Sequence, residues 1–112
     1  MTDQAEHLIT ALRRWTRHHD LHVRAAVELL IEHGFWLRRQ DFIRAAVRKD
    51  GDTWIDWRGA REFVDEGPRG STSEVAILDL AVALGEDRFR FGIMGSRHSQ
   101  WIAAAVTMAV GL

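Results

Sequence analysis

Four arginines crowd one short segment: Arg38, Arg39, Arg44 and Arg48. A guanidinium is planar, permanently charged and rich in donors, so it suits phosphate and the guanine edge in a DNA major groove. The spacing predicts a helix over residues 38–49, with Arg44 and Arg48 four apart on one outward ridge. Arg13 and Arg17, on an earlier helix, would add phosphate contacts, and TWIDW (residues 53–57) would be a wing. On this alternative reading the chain is a DNA-binding transcriptional regulator with a helix-turn-helix-like unit at residues 21–49. The simpler reading is a solvated helix face, partly neutralised by Asp41 and Asp50. It is preferred here, because Gln40 is the one amide or hydroxyl side chain on a helix that would have to read bases.

The other reactive side chains assemble nothing. His18, His19 and His22 surround Asp20. An N-cap at Asp20 would break the helix between His18 and His22, so no fixed face presents two imidazoles to a metal. No metal site is expected there, only a corner sensitive to pH at about 6–7. Asp52, Asp56, Asp65 and Glu66 bracket one helix, where caps and dipole partners are expected anyway. Ser71, Ser73, Ser96 and Ser99 lie outside any G-x-S-x-G setting. GPRGSTSE (residues 67–74) lacks the lysine and the preceding strand of a phosphate-binding loop. The absence of cysteine removes thiol nucleophiles, zinc–thiolate sites and disulfides. The sequence therefore reads as non-catalytic and without a cofactor.

At 112 residues, 46% hydrophobic and 28% charged, the composition is that of one folded domain spanning residues 1–112. Residues 1–50 carry nine basic and seven acidic side chains, for +2, and residues 51–112 carry six and nine, for −3. That asymmetry is too mild for a strong polyanion binder. Lys49 is the only lysine among fifteen cations, a bias of GC-rich genomes that suggests a bacterial chain, or one from a phage or mobile element. MTDQAEHL shows no basic stretch leading into an apolar run, so no secretory leader is read and a cytoplasmic location is expected. Residues 100–112 are apolar and uncharged but shorter than the roughly 20 residues of a membrane span, so no membrane partner is expected.

The elements that would position these side chains are mostly helical. Leu8, Ile9, Leu12 and Trp15 set the inner face of a helix over residues 3–18. Val23, Val27, Leu30 and Ile31 do so for residues 21–33, with Arg24 and Glu28 paired outside and Gly34 as the stop. Phe35, Trp36 and Leu37 would pack the turn before the 38–49 helix. Asp56 would cap a helix beginning WRGAREFVD. Ser71 and Glu74 form an S-x-x-E capping box ahead of residues 72–84, apolar on nearly every side and so read as the central helix. Asp79 is the lone charge in its middle, either exposed or paired with Arg88, Arg90 or Arg97. Residues 88–94 alternate like a half-buried strand whose natural partner is 53–57. Ser96 would cap a last helix over residues 97–110.

The expected fold is mainly α: a compact five- to six-helix domain around the central helix 72–84, with at most a small two-stranded β ribbon of 53–57 with 88–94. The leading function is a non-catalytic interaction protein, a small regulatory or accessory subunit that binds a protein partner through apolar and aromatic surface. Trp54, Trp57, Trp101 and Met108 are the candidate interface residues. Two apolar helices in succession are more than so short a chain easily hides, so a homodimer through the last helix is also possible, and nucleic acid is the alternative partner.

Overall fold

Why the chain turns where it does is set largely by caps. The computed structural model describes residues 2–112, with side chains from residue 4 onward. Helix α1 (Thr2–Thr16) is followed by α2 (Leu21–His33), which stops at Gly34. Gly34 adopts φ 72°, and its N–H donates to the Leu30 carbonyl at 3.0 Å. A side chain would be strained in that left-handed position. Asp20 stands at the N-cap of α2, but its carboxylate makes no capping bond; it lies 3.7 Å from His22 Nε2 instead.

A single 3-10 turn, Trp36–Arg38, leads into α3 (Gln40–Ala46). This helix ends three residues short of the expected 49. Val47–Asp50 becomes strand β1 and pairs antiparallel with β2 (Asp52–Ile55). The register sets Val47 opposite Ile55, and both side chains are buried. Burial of that pair outweighs the good helix propensity of Arg48 and Lys49. The ribbon is thus present, but its partner strand is 47–50 and not 88–94. Asp50-Gly51-Asp52 closes it locally, with Gly51 at φ 79°. Pairing with residues 88–94 would have meant closing a loop of some thirty residues, at a greater cost in chain entropy. Residues 88–90 are a loop and Phe91–Met94 is a single helical turn, α6. Left-handed backbone at Asp87 and Arg90 and φ 83° at Gly95 interrupt any extended run.

Helix α4 (Trp57–Asp65) starts at Asp56, whose carboxylate accepts from the N–H groups of Arg58 and Gly59 at 3.1 and 3.2 Å. Helix α5 (Thr72–Gly85) carries the expected capping box complete. Ser71 Oγ accepts from Glu74 N–H at 3.2 Å, and the Glu74 carboxylate accepts from Ser71 N–H at 2.7 Å. After α6, a 3-10 turn at Ser96–His98 leads into α7 (Ser99–Ala109), so Ser96 opens a turn rather than capping the helix. Among the described residues the fold is mainly α, seven helices with one two-stranded ribbon.

The core is built on α2 against α5, the most extensive pairing in the fold, with α4 against α5 and α3, and α1 across α2 and β2. Leu12, Ala26, Val27, Leu30, Trp36, Phe42, Ala46, Ala60, Leu78, Ala81 and Val82 are wholly buried. Helix α5 is apolar by sequence but not buried all round. Its outer stripe of Thr72, Ser73, Ala76, Asp79 and Leu80 faces solvent, the i, i+4, i+7 face opposite α2. Buried Thr16 turns its hydroxyl back to the Arg13 carbonyl at 3.2 Å.

Gly85 shows how tightly α4 and α5 are joined. The Trp57 indole lies on it, and a Cβ built there would meet three ring carbons at 2.3–2.5 Å. In an ordinary helix, Gly→Ala stabilises by up to about 1 kcal/mol. Here the methyl must displace a half-buried tryptophan, and overpacking of this kind costs about 1–3 kcal/mol. Gly85→Ala is therefore expected to lower stability in urea denaturation. A gain in stability would show that Trp57 does not occupy this position.

Candidate interaction surface

The polar candidates are best judged by what already holds them. Arg13 reaches from α1 to Glu28 on α2 with two bonds of 3.1 Å. That pairing takes the acid expected to partner Arg24, and the hydrogen bond to Glu28 raises the guanidinium pKa. Arg39 lies over the rings of Trp36 and Phe35, 4.8 and 5.5 Å from their centroids, and pairs with the Asp41 carboxylate while donating to the Arg69 carbonyl. The Arg39 bond, joined by the Phe42 backbone N–H, holds the Asp41 carboxyl below the usual carboxylate range. Arg48 does not share a ridge with Arg44. It sits on β1 and folds back onto the end of α3, donating to the Ala45 and Arg44 carbonyls at 2.9 and 3.1 Å and pairing with Asp56 at 3.2 Å. Arg17, Arg38 and Arg44 are exposed, with no ion pair to any described residue.

Helix α3 is seven residues long, and six residues separate it from α2. Arg38 opens onto a groove of about 430 Å³ between α1 and α3, lined with Leu8, Leu37, Gln40 and Ile43. The histidines make separate contacts: His19 packs tilted against Trp15 at 4.7 Å between ring centroids, and His22 donates through Nδ1 to the Leu84 carbonyl at 3.0 Å, linking α2 to the end of α5. No group of three His, Asp or Glu side chains gathers as a metal site among the described residues.

Asp79 is half exposed, and its partner is one the sequence did not suggest. Arg61 on α4 pairs with it at 2.9 Å and with Glu86 at 2.9 Å, while Arg88 reaches Glu86 at 3.4 Å. The Glu86 and Asp79 bonds raise the Arg61 pKa. Arg61 is thus a clamp from α4 to the middle of α5 and to Glu86 just past its end.

The tryptophans divide. Trp54 sits half-buried on the ribbon opposite Arg48, and Trp57 is half-buried against Gly85. Trp101 and Met108 belong to a different surface, being 68% and 81% exposed. They lie on α7, none of whose residues is buried. Around them Phe89, Phe91, Ile93, Met94, Val106, Val110 and Leu112 are also exposed, and residues 99–112 contain no charged side chain. Phe89 and Phe91 pack on each other at 5.7 Å, and His98 on Trp101 at 5.0 Å. Beside Trp101 an open apolar cleft of about 500 Å³ runs along Met94, His98, Ile102 and Ala105. Monomeric proteins rarely leave a contiguous apolar patch of more than a few hundred Å² in water. Sequence reasoning found Trp101 and Met108 by type. It missed residues 89–94 by taking their alternation for a half-buried strand.

No helix among the described residues is long and apolar enough to cross a membrane. Comparison with protein-family models, with curated protein sequences and with solved structures found no match for this chain.

The two ridge arginines should separate by stability. Arg48→Ala removes three bonds and leaves Asp56 without its cation, so a loss of about 1–2 kcal/mol is expected. Arg44→Ala should stay within about 0.5 kcal/mol, as for other surface changes. Equal effects in chemical denaturation would mean that Arg48 does not fold back onto α3.

Proposed function

We propose that this chain is a non-catalytic interaction protein, a small regulatory or accessory subunit that binds a protein partner through the apolar arm formed by residues 89–112. One observation carries the reading: α7 has no buried residue and no charge, yet bears Trp101, Met108 and their apolar neighbours. Tryptophan and methionine are enriched where interfaces bury surface, and charged residues are depleted there. Trp54 and Trp57, the other aromatic candidates, are half-buried in the domain and play a lesser part in this account.

Nucleic acid is the second reading, resting on Arg17, Arg38 and Arg44, which are exposed and unpaired among the described residues. It has less support. Arg13, Arg39 and Arg48 are occupied by carboxylates, and a net charge of −1 supplies little attraction for a polyanion.

The two readings predict different outcomes in affinity capture from host lysate with and without nuclease. On the interaction reading, a defined protein survives nuclease and is lost when Trp101→Ser is combined with Met108→Glu. Capture that nuclease abolishes, and that Arg38→Ala with Arg44→Ala weakens, would replace it with the nucleic-acid reading.

A further inference from the structure

The arm's own geometry bears on what covers it. Helix α7 has eleven residues, and isolated helices shorter than about 12–15 residues are marginal in water. With nothing buried against the domain, this helix depends on an outside surface for its stability. Trp101, Ala105 and Met108 recur at i, i+4 and i+7, one stripe with a small residue at its middle. Nine large apolar side chains of residues 89–112 are 37–92% exposed. Of these, Trp101 and Met108 lie on the stripe and are 68% and 81% exposed, so the face that α7 offers is anchored by one aromatic and one thioether side chain.

Charge selects the partner and its direction. Arg97 stands just before the N-terminal end of α7, where the helix dipole disfavours a cation. A second α7 running antiparallel brings its C-terminal carbonyls to that side chain, which turns a repulsion into an attraction. The uncharged stretch between them lets two copies meet without opposing like charges.

Resting on the interaction reading above, we infer that the partner is a second copy of this chain: two α7 helices pack antiparallel across a twofold axis near Ala105. Ala105 allows close approach at the axis. Trp101 of each copy lies on Met108 of the other, an aromatic–thioether contact, and the cleft beside Trp101 receives the far end of the partner's helix. The interface is isologous and closes on itself.

Light scattering on the full chain across a range of concentrations should rise to twice the monomer mass. Ala105→Arg should hold the mass at the monomer value with far-UV circular dichroism and melting retained, because no core residue is touched. Thr107→Arg, on the opposite side of the helix, should leave the dimer intact. The chain has no native cysteine, so single cysteines report the direction. Ala105→Cys should form an oxidised dimer. Met108→Cys should not, since in an antiparallel pair the two copies of residue 108 lie about 10 Å apart along the axis, beyond disulfide reach. A monomer at every concentration overturns the second-copy inference but leaves protein capture by the arm to be judged on its own assay. A dimer that survives Ala105→Arg, or ready Met108→Cys crosslinking, overturns the antiparallel α7 interface.

Discussion

The burial of Trp36 is the constraint on which the domain depends. Its side chain is wholly inaccessible, yet its indole N–H must find an acceptor. It donates to the Glu74 carbonyl in the first turn of α5 at 2.9 Å. The ring meets Phe35 and Phe63 edge-on at 4.9 and 5.8 Å and lies 6.4 Å from Phe42. Arg39 covers its other side, tied down by Asp41 and the Arg69 carbonyl. One residue in a single 3-10 turn thus joins the end of α2, the start of α3, the α4 face bearing Phe63 and the capped entry of α5. Gly70 belongs to the same arrangement, because a Cβ there would stand 3.3 Å from the indole. The capping box matters here as well as locally: by fixing the first turn of α5, it presents the Glu74 carbonyl where the indole needs it.

Outside that cluster three arginines fasten elements together. Arg13 ties α1 to α2, Arg48 ties β1 and α3 to the α4 cap, and Arg61 ties α4 to α5. Each is a partly exposed ion pair, worth little in isolation, but each also sets the angle at which two short elements cross. Five of the fourteen arginines are held in ion pairs among the described residues, counting Arg39 and Arg88 with these three. The main uncovered apolar surface is the arm of residues 89–112, where the chain has apolar side chains without a core to cover them.

Local features were the most legible in the sequence. The Ser71–Glu74 box, the Asp56 cap, the Gly34 stop and the inner faces of α1 and α2 all depend on residues within a turn or two of one another. Relationships across longer separations were not. Arg61 as the partner of Asp79 requires α4 and α5 to be docked before the pair can be seen. Arg48 reads as part of a helical ridge until the pairing of Val47 with Ile55 pulls it into a strand. Residues 88–94 have the alternation of a strand, but two left-handed residues and Gly95 decide otherwise. Hydrophobicity also gave no measure of exposure: α5 and α7 are both apolar in sequence, and only packing distinguishes the buried Leu78 from the exposed Met108.

On the proposed interaction the chain has two energetic parts, a domain closed around Trp36 and an arm that gains its stability from a partner surface. Residue-resolved hydrogen exchange in dilute and in concentrated solution tests it most directly, since amides report the free energy of the unit that must open. The account predicts that α2 and α5 exchange only through global unfolding at both concentrations. The α7 amides should exchange orders of magnitude faster in dilute solution and become protected as concentration rises. Protection of α7 equal to that of α5 in dilute solution would contradict it, because the helix would then be held by its own domain.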